Sequence, residues 1–164
     1  MTNIQGTFYL IFLSLHNLLR WLVIVFAVLA IVRGFSGWLK NKGWSAADDR
    51  AGLLYVSLFD VQLLIGLILY FFLSPTTQIA LQNFGGAMRD TAMRYFAVEH
   101  FATMLLALIV AHVGRALSKK GANDGAKHRR AAIWYAVSFL LVLASIPWPF
   151  LSVGRPLIRF FGLF

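Results

Sequence analysis

Cysteine is absent from this 164-residue sequence. Its absence excludes disulfides, iron–sulfur clusters, thiolate zinc sites and covalently attached c-type haem. Charge is also scarce: Asp, Glu, Lys and Arg make up 13% of the chain, about half of the ~25% usual in a soluble domain. Acidic residues are the scarcest, 6 against 15 basic ones. Nucleotide-binding glycine patterns, hydrolase elbows and HExxH zinc signatures do not occur. No Lys or Arg precedes Arg20, so the first apolar run lacks the charged start of a cleaved signal, and it is too long for one. What is present is 60% hydrophobic, with a mean hydropathy of +0.75. Lipid is therefore the expected solvent.

The apolar residues fall into four runs, Phe8–Val32, Leu53–Leu73, Phe96–Val113 and Ala131–Leu151. Each is near the ~20 residues a helix needs to cross about 30 Å of hydrocarbon. The expected fold is all-α, a transmembrane four-helix bundle forming one integral membrane domain, with spans at about 8–32, 53–73, 96–117 and 131–151. The first loop carries Arg33, Lys40, Lys42 and Arg50, and the third carries Arg115, Lys119, Lys120, Lys127, Arg129 and Arg130. The other side has only Arg89, Arg94, Arg155 and Arg159. The positive-inside rule then puts loops one and three in the cytoplasm, and both termini on the outer, periplasmic side. The net charge of +9 is explained by orientation and anionic headgroups, and no nucleic-acid partner is expected. Residues 153–164 mix Arg155 and Arg159 with Leu157, Ile158, Phe160, Phe161 and Phe164, the pattern of a tail lying on the membrane surface.

Ionisable groups inside a span are costly and point to function. They are His16, Arg20, Asp60, Glu99, His100 and His112. Counted from Arg33 and Arg115 at about 1.5 Å per residue, His16 and His100 differ by only ~3 Å in depth. Two histidines on different helices at one level are what bis-imidazole haem ligation requires. Gly66 falls at the same level on the second span, where a missing side chain lets a flat ring or a neighbouring helix come close. Gln62 is one turn away on the same face. Arg20 follows His16 by one turn and needs a partner, for which Asp60 and Glu99 are the candidates, as an ion pair, a proton route or a propionate contact. Glu99 is also placed to orient His100. His112 lies about 120° around its helix from His100, with only His128 as a histidine partner, and His128 itself is expected to be solvated in a basic loop. Ile146-Pro147-Trp148-Pro149 is expected to break the fourth helix near the depth of the histidine pair and leave an opening for a lipid-soluble ligand.

Leu15-His16-Asn17-Leu18-Leu19-Arg20-Trp21, the run Asp60 to Tyr70, Val98-Glu99-His100, Lys127-His128-Arg129-Arg130 and Ile146-Pro147-Trp148-Pro149 resemble a small bacterial family of integral membrane proteins that carries the label cytochrome b. The resemblance covers nearly the whole chain. It implies a four-helix protein of the bacterial cytoplasmic (inner) membrane, and residues in the quoted segments as its core features.

Three functions follow as expectations. The first is a b-type cytochrome-like subunit with one haem b between His16 and His100. Gly66 and Gln62 would sit at its side, and Arg20, Arg94 or Arg155 at its propionates. It would exchange electrons with a quinol pool or a larger redox complex, with quinone as a further possible ligand. The second is a haem-free accessory subunit of a respiratory or photosynthetic membrane complex. The third is a proton or small-ion path through Arg20, Asp60 and Glu99. Lipid and other membrane subunits are the expected partners, and the chain is read as a subunit rather than a complete enzyme.

Overall fold

The computed structural model describes residues 3–159, with side chains from Ile4. The described chain is mostly helical as far as Ala144, and the described residues contain no strand. Helix α1 (Asn3–Leu39) has 37 residues and spans about 55 Å at 1.5 Å per residue. It therefore extends well past the ~30 Å of a bilayer core. It ends where Asn41 takes a left-handed φ of 49° and Lys42 N–H bonds back to the Gly37 carbonyl at 3.0 Å, a backbone turn that Asn tolerates better than most residues. Helix α2 (Ala46–Ile68) starts at Ser45, whose N–H donates to Asp48 Oδ2 at 2.8 Å, and Asp48 also receives Arg33 Nε at 2.8 Å. It runs on through a wide π-turn, Leu69–Leu73.

The second connection is itself helical: α3 (Pro75–Gln82), α4 (Phe84–Ala87) and α5 (Thr91–Arg94). Helix α3 is begun by Ser74 and the helix-starting Pro75. A second π-turn, Tyr95–Glu99, joins α5 to α6 (His100–Lys119). Helix α7 (Asp124–Ala144) is N-capped by Asn123, whose Oδ1 accepts from Ala126 N–H at 2.8 Å.

Three helical stretches are long and apolar enough to cross a membrane: Ile4–Leu39, Ala46–Leu73 and Thr91–Lys119. The expectation of a plain four-helix bundle is met only in part. The short helices α3–α5 add to the bundle, and α7 falls short of the other three. Its first turns carry Asp124, Lys127, His128, Arg129 and Arg130, and its apolar part, Ala131 to Ala144, covers only ~21 Å. The fourth run also stops earlier than expected, at Ala144 rather than Leu151.

The core is built from small and aromatic side chains where the long helices meet, among them Ala27, Ala107, Ala111, Tyr55, Phe59 and Tyr135. Alanines let helix backbones approach closely where lipid supplies no hydrophobic drive. Tyr55 Oη and Ser138 Oγ lie 2.6 Å apart, and Ser138 Oγ donates to the Ala107 carbonyl at 2.7 Å. This satisfied polar link ties α2, α6 and α7. At the basic end of the bundle, Arg115 grips Asp49 with two parallel bonds of 3.0 and 3.1 Å.

Candidate functional site

The way α7 ends shapes the site. A helix interior needs an N–H four residues after each carbonyl, and proline has none. Pro147 therefore orphans the Leu143 carbonyl, and the Ser145 carbonyl lies past the last turn of the helix with no backbone N–H to receive. The Trp148 indole Nε1–H takes the first at 2.9 Å. The second receives two donors, Tyr95 Oη at 2.8 Å and His100 Nδ1 at 2.8 Å. The Ile146-to-Pro149 segment is not a break within the fourth helix but its termination, and Ile146 and Pro147 form part of a cavity wall.

Tyr95 and His100 reach one carbonyl because of the π-turn between them. Five residues along a regular α-helix put two side chains about 140° apart. The i→i+5 turn Tyr95–Glu99, closed by His100 N–H on the Tyr95 carbonyl, swings them to the same side.

His16 on α1 faces His100 across this corner. Their ring centres are 6.4 Å apart with planes at 67°. Both line a cavity of about 170 Å³ whose wall also includes Gln62, Gly66, Phe96 and Met104. The expected meeting of the two histidines and Gly66 at one level is therefore found. A Cβ on Gly66 would lie 3.2 Å from His16 Cε1 and 3.7 Å from Nδ1, so glycine there makes room for the imidazole itself. Gln62 Nε2 donates to the His16 carbonyl at 2.9 Å and holds α2 against α1. His16 Nδ1, Gln62 Oε1 and Arg20 Nε are enclosed without a hydrogen-bond partner, whereas buried polar atoms normally have one.

Arg20 does not pair with Asp60 or Glu99. Its Nη2 donates to the Leu157 carbonyl at 2.7 Å, and Trp21 Nε1 shares that oxygen at 3.0 Å. Asn17 bonds the Pro156 carbonyl at 3.2 Å and receives Arg159 N–H at 3.1 Å. The expected surface-lying tail is thus, as far as Arg159, a clasp laid on α1, while Phe160, Phe161 and Phe164 fall outside the described residues. Asp60 instead meets His112 at 2.8 Å. Glu99 meets Arg94 at 2.7 Å, so the group that orients His100 is a backbone carbonyl and not Glu99. Arg94 is committed to that pair and does not line the cavity. Arg155 does line it, its guanidinium 4.9 Å over the Phe96 ring. His128 is not solvated: it is buried against Trp44, with ring centres 4.8 Å apart, in a groove that Gly37 leaves open. The glycines Gly34 and Gly37 on α1 were the available sign of that groove.

The cavity offers two imidazoles and two guanidiniums, Arg20 and Arg155, with no carboxylate in its wall. Among the described residues no group of three or more His, Cys, Asp or Glu could hold a metal ion. Two imidazoles from different helices in one cavity suit a metal that brings its remaining ligands with it, as an iron porphyrin does. Two metal–nitrogen bonds of about 2.0 Å, plus roughly 1.15 Å from each nitrogen to its ring centre, span about 6.3 Å when collinear. The observed 6.4 Å fits that span. The angle between the rings is no obstacle, because each imidazole can turn about its own bond to the metal. No family model matches the chain, and no curated protein or solved structure matches it.

Proposed function

We propose that the protein is a membrane-embedded b-type cytochrome subunit holding one haem b between His16 and His100. The observation that carries this is the 6.4 Å separation of two imidazoles from different helices, with His100 Nδ1 committed to a backbone carbonyl. A carbonyl accepts only, so Nδ1 of His100 carries the proton and Nε2 keeps its lone pair for iron. Metal-binding histidines usually have such a second partner, which fixes the tautomer and the ring. Arg20, with its uncommitted Nε, and Arg155 neutralise the two propionates. When bound, the haem supplies a one-electron iron couple inside the membrane.

In this proposal α7 is the fourth span. The basic ends of α1, α2, α6 and α7 lie in the cytoplasm, and both termini and the histidine pair lie toward the outer side of a bacterial cytoplasmic membrane. A single redox centre makes a relay, so quinol on one side and a larger redox complex on the other are the proposed exchange partners.

The test is protein purified in mild detergent from a haem-replete host, assayed by pyridine haemochrome and by reduced-minus-oxidised spectra. One b-type haem per chain with a low-spin spectrum is expected, lost in both His16→Ala and His100→Ala. A native preparation free of haem, or an unchanged low-spin spectrum in either variant, overturns the proposal.

A further inference from the structure

Asp60 on α2 and His112 on α6 lie within the spanning stretches Ala46–Leu73 and Thr91–Lys119. His112 Nε2 and Asp60 Oδ1 are 2.8 Å apart, yet the two side chains remain 52% and 44% exposed. Around them Val61, Leu64, Ile109 and Val113 are exposed and apolar. The pair therefore faces the region that lipid occupies.

That placement is unusual. Ionisable groups within a span almost always face the bundle interior or a partner, because hydrocarbon cannot hydrogen-bond them. His16, His100 and Arg20 follow this pattern and line the cavity, whereas the other exposed pair, Arg94 and Glu99, sits at the outer end of its stretch beside the α3–α5 connection. As an ion pair, Asp60 and His112 retain one unused donor, Nδ1–H, and one unused acceptor, Oδ2. A donor and an acceptor side by side are self-complementary. Under a two-fold axis, His112 of one copy meets Asp60 of the other, and the reverse contact forms at once. The four groups then close a ring of alternating charge with no net charge.

We infer that the α2–α6 face is a dimer interface between two copies of this chain, closed at its centre by Asp60 and His112. Interhelical polar contacts of this kind are the usual adhesive where lipid removes any hydrophobic drive. The surrounding leucine, isoleucine and valine side chains supply packing. The interface stands apart from whatever the His16–His100 cavity holds, since it shares no residue with it.

The absence of cysteine gives a clean background for a test in native membranes. Single cysteines at Leu64→Cys and Ile109→Cys are expected to form a covalent dimer of twice the chain mass on mild oxidation. Val25→Cys, on the exposed side of α1, is expected not to. In nanodiscs, the double variant Asp60→Leu/His112→Leu removes both charges together and leaves no orphan. Its dimer dissociation constant is expected to rise about tenfold or more, from two symmetric contacts, with an unchanged helical content of the chain. Equal crosslinking at all three positions, adducts only to a different protein, or a monomer with a lipid-soluble ligand on this face overturns the inference. If the double variant fails to fold, the crosslinking pattern still decides.

Discussion

Gly66 offers the sharpest test of how the cavity is built. An alanine there puts a carbon 3.2 Å from His16 Cε1, where relaxed carbon contacts lie at about 3.5–4.0 Å. The imidazole must shift by ~0.3–0.8 Å, or α1 must give way by as much. Overpacking of this sort costs about 1–3 kcal/mol, while replacing glycine by alanine inside a helix recovers about 1 kcal/mol. The melting temperature of Gly66→Ala should therefore move little, while the imidazole orientation and hence the low-spin spectrum change visibly. Gly66→Leu extends the intrusion across the ring. If it weakens ligation by only about 1.4–3 kcal/mol, haem retention falls roughly 10- to 150-fold. The assay is haem per chain by pyridine haemochrome after detergent dilution, read alongside the thermal melt of the protein. Wild-type haem content and an unchanged spectrum in Gly66→Leu would refute the placement of His16 over this glycine as the axial ligand.

Arg20→Leu removes the shorter of the two bonds on the Leu157 carbonyl, so amides of residues 157–159 should exchange hydrogen severalfold faster than in the wild type, and unchanged exchange would show that Trp21 and Asn17 secure the clasp without it. Gly52→Ala places a Cβ against the Tyr135 hydroxyl; about 1–3 kcal/mol of overpacking, less the ~1 kcal/mol of helix propensity gained, leaves a loss of up to about 2 kcal/mol. The melt would read this as a fall of up to roughly 8 °C, partly recovered when Tyr135→Phe removes the hydroxyl. Tyr95→Phe removes the second donor on the Ser145 carbonyl, so His100 bonds it more strongly and the proposed haem should show a lowered midpoint potential at normal occupancy. Ser145→Ala keeps that carbonyl and removes only the longer Oγ contact of 3.3 Å to His100 Nδ1, so it should shift the potential less.

The depth of His16, Gly66 and His100 was legible in the sequence because position along a helix is a one-dimensional count, and a count survives modest tilt. The partners of Arg20, Asp60 and Glu99 were not legible, for different reasons. Arg20 is satisfied by the carbonyl of Leu157, far along the chain, and a backbone oxygen has no residue-type signature. Asp60 and His112 meet on different helices, because packing and tilt of the axes decide which faces touch, and a single helix's periodicity carries neither. His128 was misplaced because the basic residues around it describe the loop rather than the groove beside Gly37. Tyr95 went unnoticed because it joins His100 only through a π-turn, and no side-chain pattern announces that extra residue.

The proton on His100 is fixed by a main-chain oxygen that lies just past the end of a helix. Because α7 stops at Ala144, the Ser145 carbonyl has no successor turn to serve and stays available to the imidazole. The address is written in main chain but sits in a packed place, Ser145 being 4% exposed, so a saturation scan should find position 145 open to small side chains and closed to large ones. A one-residue insertion between Ala144 and Pro147 should be poorly tolerated, as it would carry that oxygen away from the ring.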